Sequence, residues 1–322
     1  MMMIRITLFF LLLTPFFKTE NAEAKMFVRK EYTIDTERTF RYNDRWAYIA
    51  KSESESLKEL IKVLATSKTG KKVLALAAKK AKSYGLELED VIHPGSGSLT
   101  DTTLIRRFSP GNAHEIVYES RSKVYINRGL SVKNAILDMA HELVHFSLRE
   151  PFNPYKNDFG LKDFVVSTVE GKGGEVEAYL VECQVNLELF PHNDSNCSQV
   201  VSEATGEVSK KLGIEKFYQM GRYYSIFLNS LKKHNLSGQD FSYMGREKAD
   251  FISSAYGLPY PLAAVHEYES IMQRVCLNDE KRLAIIKDNL TRSPAQVAKE
   301  QYQSLIHGHE QKCGAFLAQN QF

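Results

Sequence analysis

No two of the four cysteines stand as Cys-x-x-Cys, no dense stripe of lysine and arginine runs through the chain, and no glycine-rich loop has the neighbours a phosphate site needs. The first absence argues against a cysteine-built metal site. The second, with a formal net charge of only +3, removes the electrostatic footprint of a nucleic-acid partner. The third leaves Gly95-Ser96-Gly97-Ser98 as a turn. Beyond Phe17 no segment is apolar enough to cross a bilayer, so no stable membrane insertion is expected of the mature protein. What remains, 43% apolar and 25% charged residues, is the composition of an ordinary globular body.

Met1 to Ala24 reads as a secretory signal. Arg5 gives a positive start, Ile6 to Phe17 an apolar core interrupted by Pro15, and Ala22-Glu23-Ala24 a small-x-small cleavage pattern before Lys25. Cleavage there removes Arg5, Lys18, Glu20 and Glu23, two of each sign, so the net charge stays at +3. The expected mature protein is exported, periplasmic or secreted. Four cysteines in such a compartment suit up to two disulfides. Pairing of neighbours, Cys183 with Cys197 and Cys276 with Cys313, is the simplest of the three connectivities.

The chemistry concentrates in one stretch. Val132 to Glu150 contains neither Pro nor Gly, follows an N-cap candidate at Ser131, and carries Ile136, Ala140, Leu143 and Val144 as an apolar side. Within it stands His141-Glu142-Leu143-Val144-His145. On a helix, residues four apart lie one turn apart on one face, so both imidazoles can point at a common centre. Two neutral imidazoles at that spacing make half of a tetrahedral zinc site, and Glu142 is placed to take a proton from water activated by the metal. The expectation is a zinc-dependent hydrolytic centre.

A catalytic zinc usually takes three protein ligands. A continuation of the form His-Glu-x-x-His-x-x-Gly-x-x-His would need Gly and His where the chain has Leu148 and Pro151. Asp158 and Asp163 stand in a stretch that reads as loop. A glutamate from a second helix remains, and Glu175 to Asn186 supplies a helical pattern with Glu175, Ala178, Tyr179 and Glu182 on one face. Glu175, Glu177 and Glu182 are all open on the residues alone.

With His141-Glu-x-x-His145 followed by Glu175-Val176-Glu177-Ala178, the chain resembles the gluzincins, zinc metallopeptidases whose third ligand is a glutamate on a later helix. The resemblance covers roughly residues 120 to 190. It implies a zincin-like core, zinc as cofactor, Glu175 as the ligand and Ala178 as the small residue that lets two helices approach. Tyr179 departs from the acidic or amide residue often found after that alanine. The resemblance also implies an edge strand at Tyr125 to Asn127 that pairs with extended substrate. The function expected is that of an exported zinc-dependent endopeptidase acting on a peptide or protein, with Glu142 as general base. The alternative is an exported zinc-binding structural or interaction protein with a degenerate site.

The fold class expected is mainly α with a small β-sheet (α+β). Helices are predicted around Leu57–Leu64 and Leu74–Ala81, within an N-terminal segment 25–95 that is a structural layer or a removable prodomain. A core of 96–200 holds strands at Thr103–Phe108, Glu115–Glu119 and Lys123–Asn127, the zinc helix, a turn-rich loop from Phe152 to Lys172, and the glutamate helix. Region 201–322 is predicted helical over Ile214–Lys233, Arg246–Tyr256, Pro261–Asn278 and Pro294–Leu317. Tyr179, Tyr256, Tyr260 and His266 are the candidate donors to a developing oxyanion.

Overall fold

The computed structural model describes residues 32–33, 39–109, 112–156, 159–191, 196–241, 243–292, 296–314 and 316. The signal sequence expected at Met1–Ala24 lies outside them. The described chain is mainly helical with a small mixed sheet.

A short antiparallel pair, β1 (Tyr32–Thr33) and β2 (Thr39–Phe40), leads into two helices, α1 (Glu53–Leu64) and α2 (Lys68–Ser83). Each starts on a serine whose hydroxyl accepts a backbone N–H, Ser52 from Glu55 and Ser67 from Gly70. Their apolar stripes bury Leu60, Leu64, Ala77 and Ala81 completely, in the same core as Ile136, Met139 and Ala140 of the histidine helix. These two helices thus pack in one core with the histidine helix.

The sheet has three strands in the order β3-β5-β4, with β3 (Ile92–Gly95) parallel and β4 (Leu99–Ser109) antiparallel to β5 (Asn112–Asn127). The two strands expected at Glu115–Glu119 and Lys123–Asn127 are one continuous strand. It is also central rather than peripheral: Tyr125 faces His93 on one side and Leu99 on the other. The edge position expected for Tyr125–Asn127 is therefore corrected, and the strand with a single neighbour beside the histidine helix is β4. Trp46, wholly buried, donates Nε1–H to the Asn127 carbonyl at 2.7 Å, while Val132 N–H bonds Asp44. These bonds fix the turn from β5 into α3 (Val132–Leu148), whose N-cap is Ser131.

The stretch read as a loop contains α4 (Leu161–Val169), which buries Leu161, Phe164, Val165, Thr168 and Val169 at helical spacing. The upstream Phe152-Asn153-Pro154 turn residues concealed that periodicity. Next comes α5 (Glu175–Leu189), then α6 (Lys210–Phe217) and α7 (Tyr224–Lys233). The single helix expected over Ile214–Lys233 is broken where Gly221 takes φ 51°, a left-handed conformation cheap only for glycine. Arg246–Tyr256 is not helical; it is an irregular stretch that follows a bridge from Gly245 to Gln219 and contains one from Ile252 to Pro259. The last helices are α8 (Tyr260–Arg292), running 33 residues and well past Asn278, and α9 (Gln296–His309).

Both neighbouring cysteine pairs are disulfides, Cys183–Cys197 and Cys276–Cys313. A second core joins α4 and one side of α5 to α6, α7 and α8, so it crosses the boundary expected at residue 200. Among the described residues no helix is long and apolar enough to cross a membrane.

Candidate metal centre

The core-facing side of α3 explains why the histidines stand where they do. Ile136, Met139, Ala140, Leu143 and Phe146 are at most 1% exposed, and burying each large side chain is worth about 1.5–3 kcal/mol. That anchoring fixes the helix rotation. His141 and His145 then emerge together with their ring centroids 4.8 Å apart. Glu175, the first residue of α5, crosses in front of them: its Oε2 lies 3.5 Å from His141 Nε2 and its Oε1 3.5 Å from His145 Nε2. One ligand atom from each of the three lies within 4.8 Å of the others, so the group can hold a metal ion.

Ring orientation is set from behind. His145 Nδ1 is 2.8 Å from the Gly173 carbonyl, which can only accept, so Nδ1 carries a proton and Nε2 is the nitrogen turned towards Glu175. His141 Nδ1 is held in the same way by Glu182 Oε2 at 3.0 Å. Such partners fix tautomer and direction of metal-ligating histidines. Glu182 therefore holds His141 and stands outside the three-residue group. Glu177 is not in the centre either: its Oε2 accepts the Gly173 N–H at 2.7 Å and closes the turn into α5.

Gly173 has φ 68°, and a Cβ there would fall 2.3 Å from Arg149 N. The glycine pair before Glu175 is thus demanded by a close approach of two backbones. Arg149 locks the junction, donating to the Gly173 carbonyl at 3.1 Å, the Thr168 carbonyl at 3.3 Å and Glu175 Oε1 at 3.1 Å.

Burial opposes ionisation of Glu175, yet His145, His141 and Arg149 outweigh it and hold the carboxyl well below the ordinary carboxylate range. Burial likewise opposes a charged His141, and Glu175, Glu182 and Glu142 outweigh it, holding the imidazole well above its ordinary value. Asp138, one turn before His141, is pushed up to about 6, by burial first and then by Glu182 and Glu142 against the bond from Ser98.

Glu142, only 8% exposed, receives the Thr100 hydroxyl of β4, 2.8 Å from its Oε2 and 2.9 Å from its backbone carbonyl. Of the four expected donors, Tyr260 alone feels Glu175, Glu182, Glu142 and Asp138 together; burial first, then those charges, raise its phenol far above the ordinary value. Tyr179 packs against Phe217 and Phe251, whereas Tyr256 is 43% exposed and its ring centroid lies 6.4 Å from that of the exposed His266.

Thr100, Arg149 and Asp138 were not singled out in the sequence. Asp138 was open to discovery, since it shares a face with His141 and Glu142 at i+3 and i+4. Thr100 had no local signal; only strand pairing brings it there.

A cleft of about 450 Å³ opens beside the centre, between β4, the α3–α4 connection and α8, with His145 and Thr100 in its wall. No family model, curated protein or solved structure matches this chain.

Proposed function

We propose that the protein is an exported zinc peptidase of the gluzincin kind, with His141, His145 and Glu175 as the metal ligands and Glu142 as general base. The observation that carries the reading is the convergence of two imidazole Nε2 atoms and one carboxylate, each imidazole fixed by an acceptor at Nδ1. Two nitrogens and a carboxylate oxygen, with room for a further ligand, are the donor set of catalytic zinc. Zinc held there supplies Lewis acidity, polarising a peptide carbonyl and making water a better nucleophile near neutral pH.

The chain's own residues do the remaining work. Glu142 takes the proton of the attacking water and passes it to the departing amine. Thr100 occupies one face of that carboxylate and leaves the other oxygen for the proton. Arg149 keeps Glu175 ionised and aimed. Tyr260 stays protonated among four carboxylates, able to donate from Oη to the oxyanion that forms on the carbonyl. The cleft beside His145 receives the peptide. Two disulfides fit an exported protein.

The test combines elemental mass spectrometry with peptide cleavage. About one zinc per chain is expected, absent from His141→Ala and Glu175→Ala. Glu142→Gln should keep the metal and lose turnover by at least about 10²-fold, the scale of general acid–base catalysis. A chain that binds zinc but cleaves no peptide in a Glu142-dependent way would belong to the rival class, an exported metal-binding protein without catalysis.

A further inference from the structure

From the wall of the cleft we infer a preference for substrates that carry a positive charge near the scissile bond, recognised by Glu267. The inference rests on the peptidase reading for the word substrate. Its physical basis, an unpaired carboxylate beside the metal ligands, stands without it.

Glu267 lies on α8 seven residues after Tyr260, so the two share a face about 10 Å apart along the helix axis. That face runs on through Ile271 and Val275, and Glu267, Ile271 and Val275 all line the cleft. After burial, the largest influence on the Glu267 carboxyl is the attraction of Arg149, followed by Glu175, Arg274 and His145, so it stands close to the centre. It is half-buried, and among the described residues it has neither a hydrogen bond nor an ion pair. A half-buried carboxylate without a partner is costly, and a cation supplied by a ligand removes that cost.

Two cations of the cleft wall, Arg149 and Arg274, attract Glu267 through space, and neither makes a hydrogen bond or ion pair with it. Arg149 is spent on Glu175, the Gly173 carbonyl and the Thr168 carbonyl. Arg274 sits at the exposed rim with its Nε on the Ser270 carbonyl. Asp101, on β4 opposite, adds a second negative charge to the cleft. An extended peptide advances about 3.3 Å per residue, so Glu267 is within reach of the side chain of a residue one to three positions from the reacting carbonyl. Lysine and arginine both present the required cation on a stem long enough to cross the cleft. A free amino terminus presents the same chemistry, and the test separates the two.

Fluorescein-labelled hexapeptides, acetylated and carrying Lys, norleucine or Glu at the central positions, would be titrated by anisotropy into zinc-loaded Glu142→Gln protein. A fourth peptide would carry norleucine and an unblocked amino terminus. The Lys peptide should bind about tenfold or more tighter than norleucine, the scale of a charge-assisted hydrogen bond, with the Glu peptide weakest. The further change Glu267→Gln should erase that preference while leaving the norleucine peptide within about twofold. Glu267→Lys should invert it towards the Glu peptide. Tight binding by the unblocked peptide alone would keep the cation and assign it to the amino terminus. Equal binding of all four, preference for the Glu peptide, or a preference that survives Glu267→Gln would overturn the inference. Cleavage by the wild type is read separately, so that failure to cleave overturns the peptidase reading and a binding preference still stands.

Discussion

Glu182 offers the sharpest discrimination between a ligand and the support of a ligand. Replacing it by Ala removes the acceptor 3.0 Å from His141 Nδ1 and leaves His145, Glu175 and their own bonds in place. Loss of such a partner typically weakens metal binding 10- to 100-fold, or about 1.4–2.7 kcal/mol. The Glu182 side chain is 25% exposed, so water can enter and accept the Nδ1–H in its stead. The expected loss is therefore near the lower limit, about tenfold. Glu182→Gln keeps a carbonyl acceptor without the charge and should lose only a few-fold. The assay is competitive titration of zinc against a chromophoric chelator. Stoichiometry at saturation should remain one zinc per chain in both variants, and Glu175→Ala should lose it. Loss of stoichiometry in Glu182→Ala, or its retention in Glu175→Ala, would show that the two carboxylates have exchanged roles.

Gly173→Ala should lower Tm well beyond Gly257→Ala. Both glycines are left-handed, which costs a side chain about 1–2 kcal/mol, but only at 173 does a Cβ meet backbone, at 2.3 Å, whereas nothing lies within 4 Å at 257. In the metal-free protein, the raised His141 contributes stability that is full below its ordinary 6.5 and is lost as pH rises towards its folded value. The lowered Glu175 contributes stability that is full above its ordinary 4.5 and is lost as pH falls towards its folded value. Calorimetry without metal should therefore find the pair's contribution greatest between those two values. The gain in Tm on adding zinc should grow as pH rises above 6.5, with proton release on binding, because the ligands must be deprotonated. A zinc gain that shrinks with rising pH would refute this. Cys183→Ser with Cys197→Ser opens a link spanning 14 residues and should cost about 3 kcal/mol in denaturant unfolding; no change in midpoint would refute it.

Much of the centre was legible because its logic is local. The spacing of His141 and His145, the Ser131 cap and the apolar flank of α3 are consecutive in sequence, and helix geometry does the rest. Both disulfides were legible as neighbour pairs. The choice among Glu175, Glu177 and Glu182 was not, because it depends on where α5 begins, and that depends on two backbones meeting at Gly173. The sheet was read only as fragments. Lys123–Asn127 alternates well, yet its central place follows from pairing with Ile92–Gly95, a stretch whose His and Pro gave no strand signal. The helix expected over Arg246–Tyr256 is absent, and a local bridge from Ile252 to Pro259 stands within that stretch instead.

The helix α5 belongs to both hydrophobic cores. Ala178 and Val185 lie in the one shared with α1, α2 and α3, and Val176 and Cys183 in the one shared with α6 and α8. At its far end Glu188 accepts from Ser67 Oγ at 2.6 Å and from Thr69 N–H at 3.0 Å, tying it to the first turn of α2. It is a party wall, so the melting of either half strips an apolar face from a helix the other half also packs against. Unfolding should accordingly be a single cooperative transition despite the two cores, and an ion held at Glu175, on the wall's first residue, would raise the threshold for both halves at once.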